Sequence, residues 1–142
     1  MNARSILRQA EFAFGLDAHS GVPVYRQLID QVLGAVARGA LATGDQLPTV
    51  RQVAVDLAIN PNTVMRAYRE MEIRGIVDTQ QGAGTFIAEM KEAAPPRERE
   101  RQLAQLANEF AARAGGLGFS INELMRALRE FEQEREPKRR KP

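Results

Sequence analysis

Asn60, Asn62, Thr63, Arg66 and Arg69 fall within one ten-residue stretch, NPNTVMRAYR (60–69). Their side chains recognise rather than react. An amide offers a donor and an acceptor side by side, and a guanidinium offers a planar fork of donors. Residue types that make and break bonds are scarce elsewhere. There is no cysteine, and the single histidine, His19, stands alone in a turn. The carboxylates are scattered along helix surfaces and no Walker-type loop is present. No catalytic residue, metal site or cofactor is expected, and the chain reads as a non-enzyme.

The same stretch has a plainer use. Asn60 is a preferred helix N-cap, and Pro61 suits the first helical position, whose N–H would be unpaired anyway. Capping explains both residues fully. Thr63 divides evenly between an outside contact and a hydrogen bond at the helix start. Asn62, Arg66 and Arg69 read either as contacts or as a solvated helix face.

Hydrophobic spacing supplies the framework that would position them. FAFGLD (12–17) reads as a short strand or extended arm, and AHSGVP (18–23) as a turn. Tyr25, Leu28, Ile29, Val32, Leu33 and Val36 make the apolar stripe of a first helix, which Gly39 ends. ALATGDQLP (40–48) is a loop. Thr49 and Gln52 have capping-box spacing and open a second, short helix with apolar positions Val50, Val53, Ala54, Leu57 and Ala58. That helix must end before Asn60, because the residue preceding a proline disfavours helical geometry.

The third helix buries Val64, Ala67, Tyr68 and Met71. Asn62, Met65, Arg66, Arg69 and Ile73 lie on its other face, and Gly75 terminates it. IVDTQ (76–80) and TFIAE (85–89) are strands joined by the hairpin tip QGAG (81–84). Helix, short helix, tight turn, helix and hairpin is the order of a winged helix-turn-helix. The fold class is therefore mainly α with a small β-hairpin, over residues 1–90.

Residues 91–97 read as a linker, 98–134 as a helical tail and 135–142 as a disordered basic end. In the tail, AGGLG (114–118) reads as a break, and Ser120 with Glu123 as a second capping box. Leu103, Leu106 and Phe110 stripe one tail helix; Ile121, Leu124, Met125, Leu128 and Phe131 stripe the next. A lone hairpin has little to bury such faces against, so the partner is another copy or the front domain, and these eight residues are assigned to dimerisation. A two-helix C-terminal dimerisation element completes the architecture.

The chain has 142 residues, of which 44% are hydrophobic and 27% charged, as in ordinary soluble globular proteins. No apolar run approaches the ~18 residues of a membrane span. The start, MNARSILRQAEF, lacks the apolar core of a signal peptide, so a cytoplasmic protein without a membrane partner is expected. Residues 1–90 hold eight Arg against nine Asp or Glu, a net charge of −1. Residues 91–142 hold twelve Lys or Arg against nine Glu, a net of +3, with KRRK (138–141) near the end. A basic surface on the front part must be local.

Residues 39–88 resemble the DNA-binding domain of the GntR family of bacterial transcription regulators. The landmarks are Gly44, Leu47-Pro48, Arg51, Leu57-Ala58, Asn60 to Val64, Ala67-Tyr68, Gly75 and Gly82-Ala83-Gly84-Thr85-Phe86. PVYRQL (23–28) looks like the same family's first helix. The short two-helix tail points to the YtrA-type subfamily.

The resemblance implies a homodimeric regulator, a repressor, that binds a palindromic operator in double-stranded DNA through a recognition helix and a wing. It would act on the bacterial nucleoid, with an unidentified small-molecule effector admitted at the dimer interface. The residues it places on DNA are Arg51, Asn60, Asn62, Thr63, Met65, Arg66, Arg69, Gly82, Gly84 and Thr85. Asn pairs bidentately with adenine and Arg with guanine, and Met65 could meet a thymine methyl. Bare glycines let the wing backbone approach DNA.

Two departures stand out. Much of the family carries Arg where this chain has Met65, and basic residues often approach the wing where this chain has Gln80-Gln81. With the −1 charge, this predicts few phosphate contacts per subunit, so that dimerisation is needed for useful affinity. The alternative reading is a winged-helix protein-interaction module without direct DNA readout.

Overall fold

The computed structural model describes residues 12–90 and 94–134. Residues 135–142, expected as a disordered basic end, and residues 1–11 fall outside those bounds. The described residues through Met90 form one compact unit, and those from 94 to Glu134 form another.

In the first unit, α1 spans Val24–Ala37, α2 Val50–Leu57 and α3 Pro61–Ile73. Strands β1 (Val77–Gln80) and β2 (Gly84–Ile87) follow as an antiparallel pair, with Val77 opposite Ile87 and Gln80 opposite Gly84. The helical stripes converge on a single core. Leu28, Ile29 and Val32 of α1 meet Val53 and Ala54 of α2, and Val64, Ala67, Tyr68 and Met71 of α3. Ile76, Val77 and Ile87 close it from the hairpin side. α3 packs on α1, on α2 and on β1, so it is held from three directions.

Local chemistry sets the helix boundaries. Thr49 and Gln52 form the expected reciprocal capping box. α3 ends in a Schellman turn: the Ile76 N–H reaches the Met71 carbonyl at 2.9 Å and the Gly75 N–H reaches Glu72 at 3.1 Å. Gly75 takes φ +73° to allow it. α2 stops at Leu57, earlier than the proline argument requires. Ala58, expected as an apolar helix position, instead adopts the left-handed conformation at φ 53°. The Ile59 N–H then closes on the Ala54 carbonyl at 3.0 Å, and the chain turns into Asn60.

FAFGLD is an arm and not a strand. Its backbone pairs with side chains of α1: the Gly15 N–H donates to Gln31 Oε1 at 2.9 Å, and Gln31 Nε2 donates back to the Gly15 carbonyl at 2.6 Å. Phe12 is buried in the core. The loop 40–48 is more ordered than its composition suggested. Gln46 bridges Phe86, and the Leu47 N–H donates to the Thr85 carbonyl at 2.9 Å, so the loop flanks β2.

In the second unit, α4 spans Pro96–Gly116 and α5 Ile121–Gln133. α4 therefore starts inside the stretch expected as linker. It also runs through Gly115 and Gly116, where a break was expected. The stop comes at Gly118, whose φ of +87° lets the Phe119 N–H return to Ala114. Ser120 and Glu123 form their capping box.

Candidate nucleic-acid interface

The turn Ala58–Ile59 sets α3 on α2, and Asn60 starts it. Asn60 Oδ1 accepts the Asn62 N–H at 2.9 Å, with Pro61 at the first helical position. With the apolar stripe buried, Asn62, Met65, Arg66 and Arg69 are left exposed on the opposite face, and Thr63 is half-buried. Arg51, in the first turn of α2, is exposed as well. Met65 offers an apolar contact among these polar groups.

Tyr68 ties α3 to the start of α2. It is buried, and its hydroxyl donates to the carbonyl of Pro48, just ahead of α2. Burial pushes the phenol pKa up, so the group stays protonated and keeps donating. Phe14 of the arm packs beside its ring, 6.4 Å between centroids.

The hairpin is built as a supported loop. Gln46 Nε2 donates to the Ala83 carbonyl at 3.1 Å, from beneath the tip. Gly84 faces this amide so closely that a Cβ would lie 2.5 Å from it. Its bare Cα thus admits a group of its own chain. Gly82, with open space around it, is the glycine presented outward. Thr85 is half-buried, and its hydroxyl lies 3.5 Å from that of Thr79.

Electrostatics separate the two units. Acidic side chains are favoured in the first turn of a helix, because they complement the helix dipole and the free N–H groups. None of α1, α2 and α3 carries one there. Both tail helices do, with Glu98 and Glu123. The first unit thus sets no carboxylate at its helix N-termini, where Thr49 and Asn60 each take one N–H by a neutral side chain.

Two features escaped the sequence reading. The Arg66 guanidinium carbon sits 3.9 Å above the centroid of the Tyr25 ring, so Arg66 is not merely a solvated group. Gln46 under the hairpin tip is the other. Neither pairing has a signature in the chain, since the partners are far apart in sequence and Tyr25 reads simply as part of a core stripe.

On the tail, Leu103, Leu106, Phe110, Ile121, Met125, Leu128 and Phe131 are exposed within the single chain, and Leu124 is half-buried. Leu103 reaches 68% exposure and Phe110 55%, on helices whose other faces are charged. Among the described residues no helix is long and apolar enough to cross a membrane, and no acidic or histidine cluster could hold a metal ion.

Known proteins resemble this arrangement. The family model described as bacterial regulatory proteins, gntR family, matches residues 24–87. The uncharacterized HTH-type transcriptional regulator YhcF of Bacillus subtilis (strain 168) is 37% identical over 112 residues, covering 79% of this chain and 92% of its own. The HTH-type transcriptional repressor YtrA of the same strain is 43% identical over 74 residues, 52% of this chain and 57% of its own. Among solved structures, a transcriptional antiterminator from Listeria monocytogenes EGD-e has a TM-score of 0.63 at 27% identity, covering 92% of this chain and 97% of that one. The family and these relatives are regulators, not enzymes.

Proposed function

We propose that this chain, which belongs to the GntR family of bacterial regulatory proteins, works as a homodimeric repressor on a palindromic operator. As a helix-turn-helix transcriptional regulator it binds DNA. α3 is the recognition helix, with Asn62 and Met65 toward base edges and Arg69 further along the groove. Arg51 and Thr63 contact the backbone beside it. The wing tip, Gly82 with Thr85 behind it, reaches the neighbouring groove. Asn60 serves chiefly as the cap, and Gly84 as the seat for Gln46.

The observation that carries this reading is the exposed polar face of α3, with Asn62, Arg66 and Arg69 opposite its buried stripe. The missing first-turn acid in α1, α2 and α3 is consistent with it, since a carboxylate there would repel a phosphate. The protein-interaction reading draws on the net charge of −1 over residues 1–90.

Dimerisation is supported by the apolar faces of α4 and α5, which a second copy would cover. Two-fold symmetry then sets half-sites one DNA turn apart, roughly 10 bp. Repression follows the name of the relative YtrA. The protein would act in the bacterial cytoplasm on nucleoid DNA, answering to a small-molecule effector at the dimer interface.

Analytical ultracentrifugation of the full chain with a palindromic duplex from its own upstream DNA tests the assembly. Two chains per duplex are expected, and Phe110→Glu with Leu128→Glu should leave a monomer of much weaker affinity. A wild-type chain that binds the duplex one copy at a time would overturn the dimeric reading.

A further inference from the structure

We infer that Tyr25 is a positioning residue for DNA binding: its ring holds Arg66 so that the guanidinium clamps a phosphate at the edge of the recognition helix instead of reading a base. The inference rests on α3 being the DNA-facing helix.

The geometry is specific. Tyr25 is the second residue of α1, half-buried and packed against the core. Its ring is therefore a fixed object. Arg66 is exposed, one turn beyond Asn62 on α3. Its guanidinium carbon lies 3.9 Å over the ring, within the range of a cation–π contact. A cation–π contact leaves the guanidinium charged and most of its N–H donors available to an outside acceptor. Among the described residues no carboxylate or carbonyl accepts from them.

The tether also sets what the fork can reach. α1 packs on the buried side of α3, and the ring draws Arg66 toward that flank. Asn62, on the N-terminal turn, stays directed at whatever the helix end enters. A guanidinium held on the flank meets the DNA backbone, where a bidentate fork suits phosphate oxygens. With residues 1–90 carrying a net charge of −1, one oriented cation matters. An arginine held in place before binding also avoids the ordering cost a free side chain would incur on contact.

A phosphate clamp and a base reader differ in one observable. A phosphate contact acts on any sequence and contributes about 0.9 to the salt slope of log affinity. A base contact acts on the operator and alters specificity at its own position.

The test uses the full-length protein and two fluorescein-labelled 30-bp duplexes, one from the upstream palindrome and one scrambled, titrated across a salt series. Arg66→Gln and Tyr25→Leu should each weaken both duplexes about 3- to 10-fold, and lower the slope by about one per bound subunit. Tyr25→Phe, which keeps the ring, should behave as wild type. The double variant should bind no worse than Arg66→Gln alone, because Tyr25 acts through Arg66. Arg66 is exposed, so its variant tests the clamp even where Tyr25→Leu folds poorly. An Arg66→Gln loss confined to the palindrome, at unchanged slope, would overturn the inference and leave operator binding standing. So would Arg66→Gln binding both duplexes as wild type does. A wild-type protein that binds neither duplex at any salt would overturn the DNA reading itself.

Discussion

The carboxamide oxygen of Asn60 accepts the backbone N–H of Asn62 at 2.9 Å. Two neighbouring asparagines thereby take different parts. Asn60 satisfies an orphan donor at the start of α3, whereas the Asn62 side chain makes no hydrogen bond among the described residues. Asn60→Ala should cost about 1 kcal/mol of stability. Asn62→Ala should stay within about 0.5 kcal/mol in urea denaturation, and weaken operator binding by about 10-fold or more per lost base contact. Equal stability losses in both would refute this division.

Tyr68→Phe removes the hydroxyl that joins α3 to the Pro48 carbonyl. The expected cost is about 1–2 kcal/mol in urea denaturation, since the change also leaves a carbonyl without its partner. Operator affinity should fall with it, because this bond sets α3 against α2. Unchanged stability would mean that packing alone holds the angle.

Ala58 holds φ 53°, a conformation that an alanine adopts at a cost. Ala58→Gly should therefore stabilise the first unit by roughly 0.5–1 kcal/mol, the strain relieved exceeding the added freedom of the unfolded chain. A lower urea midpoint for the glycine variant would show that this turn is unstrained.

The two wing glycines should respond unequally. Gly82 has φ +79° and open space around its Cα, so Gly82→Ala should cost about 1 kcal/mol. Gly84 has φ +127°, and a Cβ there would displace the Gln46 amide from the Ala83 carbonyl. Gly84→Ala should cost about 2–3 kcal/mol, chiefly because φ +127° is strained for any side chain. Unfolding monitored by circular dichroism separates them, and equal losses would show that this backbone angle relaxes.

The parts of this fold legible in the sequence are those set by neighbours within a helical turn. The stripes of α1 and α3 and the capping pairs Thr49–Gln52, Asn60–Asn62 and Ser120–Glu123 all depend on spacings of two to four residues. What escaped depends on distant partners or backbone angles. Tyr25 and Arg66 meet only because α1 packs on α3, and Gln46 meets Ala83 only because a loop flanks β2. Ala58 gives no sign of a left-handed turn, since alanine ordinarily extends a helix. Gly115 and Gly116 look like a stop, but tertiary and helical context override a propensity worth about 1 kcal/mol per glycine.

The most direct test of the central claim is a DNase footprint on the DNA upstream of the protein's own gene, at physiological salt, with wild type and Asn62→Ala side by side. The account predicts a protected palindrome with half-sites about 10 bp apart, lost in the variant. Protection that persists unchanged with Asn62→Ala would contradict the assignment of α3 as the helix that reads the operator.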